Sequence, residues 1–152
     1  MYQVINNNTR LPIFHCTPSF SGELSEYLSY ILITKQNHPC QRCQGIIKQH
    51  IAFLRAPPLI MFGLCIKKCV ELSNMCELSI DNRTYTYTLR GIVYFGSAHF
   101  TSRIFMDGKV WFHDGITTKQ KCFDEGDFYE FSNQELLECN EKFAVLVIYA
   151  LD

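Results

Sequence analysis

A chain of 152 residues, 47% apolar and 14% aromatic, carries enough hydrophobic material for one domain with a core and is too apolar for disorder. A net charge of −1 gives no basic surface of the kind nucleic-acid binding needs, so no nucleic acid is expected as a partner. No apolar run reaches membrane-spanning length, and the first residues lack the basic-then-apolar form of a signal peptide. No membrane is therefore expected as a partner, and the cytoplasm or nucleus is the expected compartment. Without a secretory signal, the eight irregularly spaced cysteines suit reduced thiols or a metal site better than a disulfide framework, and the Asn-x-Thr triplets at Asn7 and Asn82 carry no weight.

Residues 1–19 read as an extended lead-in, polar and frayed from Met1 to Arg10 and interrupted by Pro12 and Pro18. Phe20 to Ile33 supports two periods: Leu24, Tyr27, Leu28 and Ile31 make a helical face, whereas Leu24, Leu28, Tyr30 and Leu32 make a strand face. Cys40 and Cys43 follow as a Cys-x-x-Cys pair, a spacing that presents two thiolates to one edge of a tetrahedral zinc. His38, Cys16, Cys65, Cys69 and Cys76 are the candidates to complete such a site, and none stands at the spacing of a second knuckle. A thiol pair without zinc and a redox pair remain open for the same residues. Leu59 to Phe62 is apolar on both faces and predicts a central buried strand. Cys65 and Cys69 flank Lys67 and Lys68 in a loop, and Cys76 to Ile80 predicts a strand that turns at Asp81-Asn82.

The stretch from Tyr85 to Asp114 is the most informative. Tyr85, Tyr87 and Leu89 alternate with Thr84, Thr86, Thr88 and Arg90, the period of a half-buried strand that runs on into Ile92-Val93-Tyr94-Phe95. Gly96-Ser97-Ala98 breaks it; Phe100 to Phe105 and Lys109 to His113 then read as strands joined by an Asp107-Gly108 hairpin turn. His99 thus opens one strand and Asp114 closes its antiparallel partner, which lets imidazole and carboxylate meet. An Asp accepting the Nδ1–H of a His fixes its tautomer and supports the imidazolium formed when the His takes a proton from a Cys or Ser nucleophile. The plain alternative is a His beside a turn and an Asp capping a loop.

Beyond Asp114, Thr117 to Asp127 reads as a polar loop containing Cys122. Ser132 caps a helix with an acidic first turn, and Phe143 to Leu151 is a buried strand about half the length of a membrane span. These elements amount to an α+β fold, mostly antiparallel β.

Tyr87-Thr88-Leu89-Arg90-Gly91-Ile92-Val93, then Gly96-Ser97-Ala98-His99-Phe100-Thr101, then Gly108 to Asp114 resemble the C-terminal half of a ubiquitin-specific protease, a papain-like cysteine peptidase of the deubiquitinase class. The F-x-G-x-L of Phe20 to Leu24, the Pro57-Pro58-Leu59 run and the closing strand fall in the family's order, so the resemblance covers residues 20–152. It implies the palm-and-fingers portion of that fold, with His99 as general base and Asp114 as its orienting partner in a Cys-His-Asp triad. It also favours a strand over a helix after Phe20. No cofactor is required, a structural zinc at Cys40 and Cys43 stays possible, and ubiquitin or a ubiquitin-like protein is the implied partner. Ala98 stands where the family usually has Gly, and His113 where an aromatic usually precedes the Asp.

Nothing in the sequence matches the family's Gly-Asn-Thr-Cys nucleophile box. The expectation is a chain inactive alone, with apolar surface exposed where a helical lobe, or a partner chain in its place, would sit. Two other readings are a non-catalytic ubiquitin- or protein-binding module and a compact cysteine hydrolase that uses Cys16 as nucleophile.

Overall fold

The computed structural model describes residues 2–5, 13–31, 33–39, 43–65 and 70–152. In chain order the elements are β1 (Tyr2–Ile5), β2 (Ile13–His15), α1 (Leu24–Ile31), β3 (Ile33–Pro39), β4 (Ile46–Phe53), β5 (Leu59–Gly63), β6 (Met75–Ile80), β7 (Arg83–Gly96), β8 (His99–Met106), β9 (Lys109–His113) and β10 (Phe123–Asp127). A 3-10 turn (Phe128–Glu130), α2 (Asn133–Leu137), β11 (Glu138–Cys139) and β12 (Lys142–Leu151) complete the chain. Among the described residues the fold is α+β and mostly antiparallel β, and no helix is long and apolar enough to cross a membrane.

A nine-stranded sheet runs in the order β10-β9-β8-β7-β12-β5-β2, with β6 added beside the first half of β7 and β11 beside β12. The two longest strands, β7 and β12, pair along most of their length at its centre. β5 has four buried residues in five, as the doubly apolar Leu59 to Phe62 run requires. A smaller sheet pairs β4 antiparallel with β3 and parallel with β1. The opening residues, expected to fray, therefore include a strand.

Strict alternation along β7 would turn Ile92 and Tyr94 away from the core that Tyr87 and Leu89 enter. It does not, because β7 carries one extra residue: Leu89 pairs with Tyr149 and Gly91 with Ile148, leaving Arg90 as a bulge. That shift puts Tyr87, Leu89, Ile92 and Tyr94 all in the core at 0% exposure. The buried tyrosines also satisfy their hydroxyls, as buried polar atoms must. Tyr87 donates to the carbonyl of Pro57, Tyr94 to Leu136, Tyr149 to Ser73 and Tyr27 to His15, at 2.9, 2.8, 2.8 and 2.7 Å. Each bond ties a neighbouring segment to the core.

The segment after Phe20 folds as helix α1, correcting the strand that the family resemblance favoured. Leu24, Tyr27 and Leu28 are buried on one face, and a strand would have sent Leu24 and Tyr27 to opposite sides. The predicted Ser132 cap is present: its side chain accepts from the Glu135 N–H while the Glu135 carboxylate accepts from the Ser132 N–H. The loop expected to run to Asp127 instead ends in strand β10, paired with β9 around a bulge at Glu125.

Arg103 in β8 is the buried cation of this face, at 6% exposure. Its Nε donates to Glu125 Oε2 at 2.6 Å and its Nη2 to Oε1 at 3.3 Å; its Nη1 donates to the carbonyl of Glu135 and, at 3.4 Å, to the Tyr94 hydroxyl. The guanidinium also lies 4.9 Å from the ring centre of Phe131. Glu125→Ala strands this charge and is expected to cost about 3–5 kcal/mol. Arg103→Met should cost less, because Glu125, 26% exposed at its side chain, can regain water. Urea denaturation of the two variants checks the order, and equal losses would contradict it.

The turn between β7 and β8 is built from Ser97 and Ala98, at φ of +52° and +55°. Both central residues of such a two-residue turn are left-handed, a conformation that costs a non-glycine residue about 1–2 kcal/mol. Ala98→Gly is expected to stabilise the chain by about 0.5–1 kcal/mol, the relief being partly offset by entropy that glycine adds to the unfolded chain. A urea midpoint that stays put or falls would count against this turn geometry.

Candidate active site

β7 rises to Gly96, the turn reverses the chain, and β8 starts at His99, paired with Gly96. β9 returns alongside β8 and ends at His113, opposite Ser102. This brings His99 and Asp114 to the same end of neighbouring strands, with His99 Nε2 2.8 Å from Asp114 Oδ1. The side chains are 28% and 11% exposed, so the imidazole can be reached while the carboxylate lies beneath it.

The nitrogen differs from the expected one. Nε2 meets the carboxylate, not Nδ1. Continuing the Ser102–His113 register, Asp114 comes opposite Thr101, so His99 reaches it along a diagonal, and the far ring nitrogen has the reach. Burial opposes ionisation of Asp114, but hydrogen bonds from His99 and from the backbone of Ile116 and Thr117 outweigh it and hold the carboxyl at about 2. An ionised carboxylate only accepts, so the shared proton sits on Nε2, and in the neutral imidazole Nδ1 then carries the lone pair. Nδ1 has no hydrogen-bond partner among the described residues. It is the nitrogen left to act as a base.

Asp114 also performs the plainer role. Oδ1 accepts from the Ile116 N–H at 2.8 Å and the Thr117 N–H at 3.4 Å, capping the turn that follows β9. His113 sends its Nε2 3.0 Å from the Lys119 carbonyl and closes the loop. Around the pair lie features the sequence did not flag. Phe95 and Phe100 stack at 4.6 Å on the opposite face of the same hairpin, and Thr101 Oγ1 is buried without a hydrogen-bond partner among the described residues. Arg103, two positions further along the His99 face, went unnoticed because an isolated arginine in a strand reads as a solvent-facing residue.

The thiols are placed elsewhere. Cys16, just after β2, lies at the same end of the sheet as His99, but the order β8-β7-β12-β5-β2 puts four strand spacings between them, about 19 Å across the sheet. It is also 3% exposed. The structure does not bring Cys16 to the base. Cys76 and Cys139 are buried, and burial pushes the Cys76 thiol up to about 12, far from a reactive thiolate. Cys43 is exposed in the connection between β3 and β4, while Cys40 and Cys69 lie outside the described residues. Among the described residues no group of three or more His, Cys, Asp or Glu side chains could hold a metal ion.

In comparisons with known proteins, no protein-family model matches the chain and no curated protein matches it. The site is therefore read on its chemistry.

The depressed carboxyl makes a pH prediction. A group held at about 2 in the folded chain against 3.8 ordinarily stabilises the fold fully above the ordinary value and loses that contribution as pH falls through the folded one. The stability advantage of the wild type over Asp114→Asn should therefore be present at neutral pH and shrink as pH falls from about 4 to about 2. Urea denaturation of both proteins across that range measures it, and parallel curves would show that Asp114 is not held by these bonds.

Proposed function

We propose that this chain is the palm-and-fingers portion of a ubiquitin-specific-protease-like thiol isopeptidase. In that reading the nine-stranded sheet corresponds to the palm and the three-stranded sheet, with Cys43 at its turn, to the fingers. His99 is the general base, Asp114 orients it, and the nucleophilic thiol comes from outside these residues. The observation that carries the proposal is the His99–Asp114 pair, in which Nε2 is engaged by the carboxylate and Nδ1 is not. A thiol brought to that nitrogen would lose its proton to the imidazole, and Asp114 would stabilise the imidazolium. The thiolate attacks the isopeptide carbonyl after a ubiquitin or ubiquitin-like C-terminus, the imidazolium returns its proton to the leaving lysine amine, and water clears the thioester. Without the thiol and its oxyanion donors, the pair has no covalent route.

A second reading, a non-catalytic ubiquitin- or protein-binding module, is favoured by the face opposite the core. Phe100, Met106 and Ile104 lie there at 59%, 53% and 41% exposure, an apolar stripe beside the site.

An electrophilic ubiquitin C-terminal probe separates the readings. The chain alone is expected to remain unlabelled. Fused to a helical half-domain that carries a Gly-Asn-Thr-Cys segment, it should be labelled, with His99→Ala slowing the reaction by about 10²–10⁴-fold. Labelling of the chain alone that depends on His99 would place a nucleophile inside these residues. A folded fusion that binds ubiquitin without reacting would leave the binding module.

A further inference from the structure

We propose that Thr118 is a positioning residue for the His99–Asp114 pair: its hydroxyl locks the backbone of Asp114 so that the carboxylate stays on His99. This deepens the functional reading above and rests on it.

The argument starts from where Asp114 sits. It follows the last ladder pair of β9, so its own N–H and C=O have lost their sheet partners. Thr118 supplies both. Its Oγ1 accepts from the Asp114 N–H at 3.1 Å and donates to the Asp114 carbonyl at 2.9 Å, and its own N–H donates to that carbonyl at 2.8 Å. Thr118 is 5% exposed, whereas every other residue from Gly115 to Cys122 is exposed. The loop thus buries one side chain, a polar one, and spends both hydrogen-bonding capacities of its hydroxyl on the residue that holds the histidine.

The constraint on Asp114 explains the need. Oδ1 accepts from three donors at once: His99 Nε2, the Ile116 N–H and the Thr117 N–H. The two amides belong to the loop and the imidazole to β8, so a rotation of the Asp114 backbone would carry the one shared oxygen out of register with donors on separate elements. Only a fixed backbone serves all three. A valine at position 118 matches the shape of threonine but leaves the Asp114 N–H without this acceptor, whereas serine keeps the hydroxyl.

The 152-residue chain tests this by NMR. In the wild type, His99 should show a single tautomer protonated on Nε2, with the Asp114 carboxyl titrating far below its ordinary value. In Thr118→Val the carboxyl midpoint should move up by about one pH unit or more and His99 should lose its single tautomer, with the amide spectrum unchanged outside the loop. Thr118→Ser should restore both signatures. A folded Thr118→Val with wild-type titration and tautomer would reduce Thr118 to loop packing. Should that variant not fold, Thr118→Ser decides by itself: a folded serine variant that loses the tautomer would overturn the role of the hydroxyl. A wild-type chain without the Nε2-protonated tautomer would sink the pair itself. Failure of the probe fusion bears on the peptidase reading and leaves the Thr118 result standing.

Discussion

On the core face of the sheet one buried cation joins three separate elements. Removing a guanidinium from water costs several kcal/mol, and only dense, well-aligned partners offset it. Arg103 has them on three sides: Glu125 from β10, the carbonyl of Glu135 from α2 and the hydroxyl of Tyr94 from β7, with Phe131 against its plane. Because Arg103 belongs to the strand that begins with His99, the demand for those partners ties the edge strand and the short helix to the strand bearing His99. Neither β10, rich in acidic residues, nor α2, five residues long, has enough apolar surface to dock firmly by burial alone.

The site is built by the same economy. Asp114 combines two roles usually met separately, a cap on the turn after β9 and the acceptor for His99. Doing both through one oxygen lowers its pKa despite partial burial, because each donor stabilises the charged form. The resulting pair is oriented by the fold's own hydrogen bonds. Among the described residues the opposite face has no comparable cover. Helices and loops pack the core side of the sheet, whereas the side carrying Phe100, Ile104 and Met106 faces water. His99 therefore sits at the rim between the packed core face and an exposed apolar face.

Where sequence reading and structure part, the causes are contacts between residues distant in the chain. The segment after Phe20 offered two periods with equal numbers of matches, and the choice of helix came from contacts: Leu24, Tyr27 and Leu28 all meet the core on one face. Tyr2 to Ile5 read as frayed because four residues beside an Asn-rich run show no period, yet they pair with β4, a partner invisible in the local sequence. β10 was missed because Asp124, Glu125 and Asp127 are poor strand formers in isolation, and its pairing with β9 and the Arg103–Glu125 bond override that preference.

The sequence by itself determined the buried strand β5, the closing strand β12 (though only Ala144, Val147 and Tyr149 of it are buried), the capped helix α2, the hairpin at Asp107-Gly108 and the nearness of His99 to Asp114. Each follows from a period, a cap or a turn residue, and these act over a few positions along the chain. Tertiary structure alone decided the bulge at Arg90 that turns Ile92 and Tyr94 inward, the nitrogen that His99 offers to Asp114, the place of Arg103 in the core and the distance of Cys16 from the base. Those depend on strand register and order across the sheet, where a shift of one residue exchanges faces and a change of neighbour moves a side chain by about 5 Å.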